Sequence, residues 1–294
     1  MKKTLTLALT LGSLALQAST LDECTAAYKA GALDKAQILC TQATKENPKD
    51  FDANFWLCRA YISSGEFKKA LPYAQKLEQL ASSLDNYHLA YNLLGVVYGY
   101  LGDTNQELKY KQKNLEVAKK LDYKDNIGNA LNNLGIYYLK LNNLDEAKKY
   151  LLEVLEYETD KSSIASTYNT LSIVHNYQGD SQKAMEYSQK AVDFAKEAGD
   201  FAKYARNSTT LAAMYIDQAN YEKAKPILLD ALKIAQDNGL KSQESSTLKW
   251  LGVLSQQQGD KKSAKQYFTQ ALEIAKASGD ASQVEDIQYS LNSL

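Results

Sequence analysis

ALNNLGIYYLKLNNLDEAKKYLLEV, residues 130–154, reads as two short helices joined by a turn. At helical spacing Leu131, Leu134 and Tyr138 share one face, and Ala147, Leu151 and Val154 share another. Gly135 and Ala147 stand twelve residues apart, one small residue on each helix. Helix axes approach closely only where side chains are minimal, so a small pair at fixed spacing marks a packing contact. The stretch predicts a helical hairpin closed on Gly135 and Ala147.

Aligned on that pair, the unit recurs along nearly the whole chain. The first-helix position holds Cys24, Cys58, Gly95, Gly135, Ser172, Ala212 and Gly252. Twelve residues on, the second-helix position holds Ala36, Ala70, Glu107, Ala147, Ala184, Ala224 and Ala264. Successive units are offset by 34, 37, 40, 37, 40 and 40 residues. A constant distance within the unit and a growing one between units predict a fixed turn and helices that lengthen at their far ends. Glu107 replaces a small residue, which predicts a looser or shifted third hairpin.

The pattern resembles the tetratricopeptide repeat (TPR) family over about residues 20 to 280. The residues that carry it are Leu57, Leu94, Leu134, Leu171, Leu211 and Leu251 just before the small position, and Tyr61, Tyr98, Tyr138 and Tyr215 three after it. Turn glycines follow at Gly31, Gly65, Gly102, Gly179 and Gly259, then polar residues suited to capping a helix: Asp103, Asn143, Asp180, Asn220 and Asp260. Ala191, Ala231, Phe268 and Ala271 fit the second helix, and Gly199, Gly239 and Gly279 fit helix C-termini. The chain departs from the family in lacking its tryptophan early in the first helix; Tyr91, Leu131, Tyr168 and Leu248 stand there instead. The resemblance implies an all-α fold, a right-handed solenoid of about seven hairpins over residues 19–280. Val284, Ile287 and Leu291 form an apolar stripe, so residues 281–294 are expected to be a C-terminal capping helix.

Composition bounds the function. The chain has 294 residues, 45% hydrophobic and 23% charged, with a net charge of −1, so no basic face for nucleic acid is expected. The N-terminus differs: Lys2 and Lys3 precede TLTLALTLGSLAL, residues 4–16, which is too short to span a bilayer. Residues 1–18 read as a cleaved signal peptide, and the mature chain as periplasmic or secreted in a bacterium, without membrane insertion. No lipobox adjoins a cysteine, since Asp22 and Glu23 precede Cys24. In an oxidising compartment Cys24, Cys40 and Cys58 give one disulfide and one thiol. Cys24 and Cys40 would face each other inside the first hairpin; Cys58, on the same seam, is the rival partner for Cys40.

Catalytic groups are few. His175 fills a position held elsewhere by tyrosine and reads as a satisfied core residue, and His88 has no reactive neighbour in sequence. There is no phosphate loop, no nucleophile elbow and no zinc-protease motif, and no cofactor or metal is expected. The suggestive polar feature is Asn92, Asn132 and Asn169, three residues before the small position in successive units, with Asn133 beside them. In a solenoid the first helices form the inner wall, so this position is expected to line a groove. An amide offers donor and acceptor together and suits the main chain of an extended peptide. Peptide-binding TPR proteins use such asparagines, and solvent exposure alone is the plainer account. Tyr100, Asn176 and Tyr177 would extend the lining. The family's chaperone clamp needs basic partners around Asn133, where Asn92, Val96, Ser166 and Thr170 stand instead. The expected function is non-enzymatic binding of an unidentified protein or peptide, as an envelope scaffold or adaptor. Self-association as a structural module is the alternative, and a disguised hydrolase a distant third.

Overall fold

The computed structural model describes residues 19–294; the signal-like segment lies outside them. The described residues form fifteen α-helices and no strand, in two compact units. Unit one, ending at Leu121, holds α1 (Thr20–Lys29), α2 (Leu33–Glu46), α3 (Phe51–Ser63), α4 (Phe67–Leu80), α5 (Leu84–Leu101) and α6 (Thr104–Leu121). Unit two, Asp122–Leu294, holds α7 (Lys124–Lys140), α8 (Leu144–Tyr157), α9 (Lys161–Tyr177), α10 (Ser181–Glu197) and α11 (Phe201–Asp217), and continues through α12 (Tyr221–Asp237), α13 (Lys241–Gln257), α14 (Lys261–Ser278) and α15 (Ala281–Asn292). Each odd-numbered helix up to α13 pairs with the helix after it, giving the seven hairpins the spacing predicts.

The twelve-residue pair is a contact with the backbone of the second helix. Ser172 Oγ donates to the carbonyl of Ala184 at 2.7 Å, and Cys58 Sγ lies 3.6 Å from the carbonyl of Ala70. A Cβ built on Gly135 would stand 3.5 Å from the Ala147 carbonyl. The small residue therefore lets one helix rest on the other's main chain. Glu107 does not loosen its hairpin. Its buried carboxyl occupies room left by Gly99, where a Cβ would meet Glu107 Cδ at 2.8 Å, and Lys111 Nζ approaches Oε1 to 3.5 Å. One departure from the repeat compensates the other.

A second twelve-residue ladder runs beside the first. Tyr61 stacks on Tyr73, Tyr98 on Tyr110 and Tyr138 on Tyr150, with ring centroids 5.8, 5.6 and 5.5 Å apart. Offset aromatic pairs add about 0.5–1.5 kcal/mol each beyond the area they bury. These pairs lie outside the glycine–alanine contact and brace the same hairpins.

Polar residues after the turns cap as expected at Asp103, Asn143, Asp180 and Asp260, which accept the backbone N–H groups of Gln106, Glu146, Lys183 and Ser263. Asn220 makes no such side-chain bond. The turn position itself needs the left-handed conformation, which Gly102 and Gly259 adopt at φ +80° and +82°. Ala219 holds the equivalent place at φ +56° with a Cβ that disfavours it. Ala219→Gly is accordingly expected to stabilise the protein by about 1 kcal/mol, read as a higher denaturant midpoint.

At the start, Ser19 caps α1. Its Oγ accepts the Asp22 N–H at 3.1 Å, while Asp22 Oδ2 accepts the Ser19 N–H at 3.1 Å. At the other end α15 buries Ile287 against α13 and α14, with Val284 and Leu291 packed beside it.

Candidate functional site

The odd-numbered helices of each unit lie side by side and make one face: α1, α3 and α5 in unit one, α7 to α13 in unit two, with α15 against α13. In unit one a hollow of ≈ 360 Å³ opens on this face, lined by Asn92 and Val96 of α5, Arg59 and Phe55 of α3, and Tyr28 of α1. Asn92 and Val96 are four residues apart and so share a stripe of α5. The Arg59 guanidinium lies 4.8 Å from the centroid of Tyr28, 5.1 Å from Trp56 and 5.5 Å from Phe55. Across the mouth the Tyr28 hydroxyl and Ser63 Oγ are 3.0 Å apart.

In unit two, Asn132 and Asn169 hold the same position on α7 and α9, which touch. Both are half-buried, and neither side-chain amide bonds to another described residue. Asn92 and Asn133 are half-buried too but already engage partners. The asparagine series ends at α11, where buried Thr209 shares a hydrogen bond with Thr247 at 3.0 Å. On α13 the same position is Lys249, paired with Asp286 of α15. Asn176 lies seven residues after Asn169, two turns along the same stripe, and is exposed with Tyr177 at the last turn of α9. Tyr100 stands apart from the Asn92 hollow. It is 69% exposed and stacks on Phe67, which opens α4, at 4.1 Å.

A smaller, polar hollow of ≈ 200 Å³ lies between α11, α13 and α15, lined by Arg206, Thr210, Ser242, Trp250 and Gln283. Gln283 Nε2 donates to Ser242 Oγ at 2.7 Å, while its Oε1 is buried without a partner among the described residues. Sequence reasoning passed over Arg59, Arg206 and Gln283. The available signal was that Arg59 falls four residues after the asparagine position, on the same helical stripe.

His175 is a packing residue, and His88 is half-buried and hydrogen-bonded to Asn114. His175 is 4% exposed and lies against Tyr187 in a tilted pair, ring centroids 5.2 Å apart, at the same twelve-residue spacing as the aromatic ladder. It is not fully satisfied: Nδ1 has no hydrogen bond among the described residues, and Asp180 Oδ2 stops 3.6 Å away. Burial pushes its pKa below the ordinary 6.5, against the pull of Asp180. His88 is shifted the same way by burial; its Nδ1 lies 3.0 Å from the Asn114 amide. The unfolded chain thus takes up protons near pH 6.5 that the folded chain accepts only at lower pH. This contribution is whole above that pH and lost as pH falls through the folded values. The thermal midpoint is expected to drop between pH 7 and 5, and to drop less in His175→Tyr, which supplies the ladder's usual ring.

Among the described residues no group of three His, Cys, Asp or Glu side chains could hold a metal, and no helix is long and apolar enough to cross a membrane. What the faces offer is hydrogen bonding, aromatic surface and fixed charge.

Compared with protein-family models, the chain matches tetratricopeptide repeat models over residues 27–93, 89–157, 164–198 and 204–277. The chain belongs to the tetratricopeptide repeat family. No curated protein matches it. Among solved structures, this TPR chain is similar to a signal-transduction ATPase (STAND) protein with a TPR sensor from Pyrococcus horikoshii, at 18% identity and a TM-score of 0.74. That match covers 91% of this chain and 44% of the other, so the chain spans less than half of that protein's length. The apo form of RapI is similar at 16% identity and a TM-score of 0.70, covering 91% of this chain and 79% of that one. PilF of Pseudomonas aeruginosa is similar at 19% and 0.57, covering 81% and 96%. At such identities the likeness establishes the TPR fold. TPR folds are in general scaffolds that bind proteins or peptides, on surfaces that stacked repeats extend.

Proposed function

We propose that the chain is an exported, non-enzymatic TPR protein that binds a protein or peptide on its first-helix faces, as a scaffold or adaptor in the bacterial envelope. The observation that carries this reading is the pair Asn132 and Asn169: successive first helices, one position, half-buried, amides uncommitted to other described residues. Each amide can donate to a main-chain carbonyl and accept from an N–H, so the pair fits an extended segment whatever its side chains. Export is supported by the signal-like residues 1–18 and by the capping box at Ser19, which starts the first helix just after the expected cleavage point.

Residues 19–294, used as bait in periplasmic extract, are expected to retain a partner that the double variant Asn132→Ala, Asn169→Ala does not. Undiminished capture by the double variant would sink the assignment. Self-association is favoured by one observation: Tyr289 is 77% exposed on α15 beside a hollow of ≈ 620 Å³. A concentration-dependent oligomer in light scattering, abolished by Tyr289→Glu, would support that second reading.

A further inference from the structure

The chain has 34 basic residues, and Arg59 and Arg206 are its two arginines. Each lines a hollow on the first-helix face of its unit. Several lysines pair with neighbouring carboxylates, as Lys113 does with Glu78 at 3.0 Å and Lys190 with Glu186 at 2.8 Å. Arg59 is different. It is half-buried, held against Tyr28, Trp56 and Phe55, and no carboxylate among the described residues pairs with it.

We propose that the Arg59 hollow takes an acidic side chain, Asp or Glu, of a bound peptide, with an apolar neighbour of that residue seated on Ile62, Leu89 and Val96. The proposal rests on the peptide-binding reading and names its partner's chemistry. Stacking on the rings fixes the plane of the guanidinium and strips part of its water, but neutralises none of its charge. A planar fork of N–H donors is matched by a carboxylate, which accepts two parallel bonds; a neutral peptide would cover the charge without answering it. The apolar lining beside Arg59 gives the flanking residue a place, and charge complementarity selects the acid.

Because the chain has two arginines, protein carrying ¹⁵N-arginine gives two side-chain Nε–Hε signals, and Arg206→Lys assigns them. The probes are two pools of short peptides, acetylated and amidated, built from Leu, Phe, Gly and Ser with either Glu or Gln. The Glu pool is expected to shift the Arg59 signal and to bind roughly tenfold more tightly than the Gln pool. Arg59→Lys, which keeps the charge but not the fork, is expected to lose that roughly tenfold preference, with an unchanged melting curve. Arg206→Lys is expected to keep it. Equal binding of both pools, with the Arg59 signal unmoved, overturns the inference and leaves peptide binding standing. A third pool, Gln peptides with a free C-terminal carboxylate, is the control: a response to that pool alone overturns the inference in favour of the chain end as ligand. No binding by any pool overturns this inference and the underlying reading together.

Discussion

Gly252→Ala is expected to destabilise the protein by about 1–3 kcal/mol, while Gly95→Ala leaves it unchanged or slightly more stable. Both glycines fill the same position of the repeat, and both would gain about 1 kcal/mol of helix propensity from a methyl group. What separates them is the neighbour. At Gly252 a Cβ would lie 2.6 Å from Cε1 and 2.7 Å from Cδ1 of Phe268, a fully buried ring packed among α13, α14 and Ile287 of α15. Such a ring moves only if the helices part. At Gly95 the nearest atom is Lys111 Cγ at 3.3 Å, part of a flexible side chain. Gly135 falls between, facing Leu151 Cγ at 2.7 Å. Denaturant titrations of the three alanine variants should rank them Gly252, Gly135, Gly95 from most to least damaging. A Gly252→Ala protein as stable as the parent would show that close approach is not what fixes this hairpin.

Opening a Cys24–Cys40 bridge is expected to lower the stability of the first hairpin by about 3 kcal/mol. The two residues are sixteen apart in sequence, with Cα atoms 5.0 Å apart and their sulfurs within bonding distance. Among the described residues this hairpin comes first in its unit and packs on one other hairpin, through α3, so restricting its unfolded chain matters more there than at an interior position. Cys58 is set apart from this pair. Its thiol is fully buried, points to the Ala70 carbonyl, and burial pushes its pKa up to about 12. Exchange proceeds through thiolate, so the folded protein keeps Cys58 out of reshuffling. Denatured, unreduced protein is expected to show one reactive thiol; a count of three would refute the bridge. Comparison of Cys40→Ala with the parent, with and without reductant, measures its effect on the melt.

The hairpins and their order were legible because the decisive signal is local. A small residue and its partner twelve positions on report one turn of fixed length, and Ser172 touching the Ala184 carbonyl is that signal seen in atoms. The aromatic ladder has the same period, but its second members, Tyr73, Tyr110 and Tyr150, stand out only once each is paired across the hairpin with the tyrosine three after the small position. Gly99 and Glu107 looked like separate irregularities; their complementarity needs the distance across the hairpin. The surroundings of Arg59 were out of reach for a different reason. Tyr28 lies on α1 and Arg59 on α3, so their contact depends on how hairpins stack, which no short sequence interval encodes. The asparagine series gave the position of Asn132 and Asn169 on successive helices. It did not show that Asn133 is already engaged, or that Tyr100 leans on Phe67.

The division at Leu121 has an optical consequence. Trp56 lies in unit one and Trp250 in unit two, and the chain has no other indole. Trp250→Phe leaves emission that follows unit one alone, and Trp56→Phe leaves emission that follows unit two. Two single-tryptophan proteins, titrated side by side, would show whether the halves of the chain lose their structure at one denaturant concentration or at two.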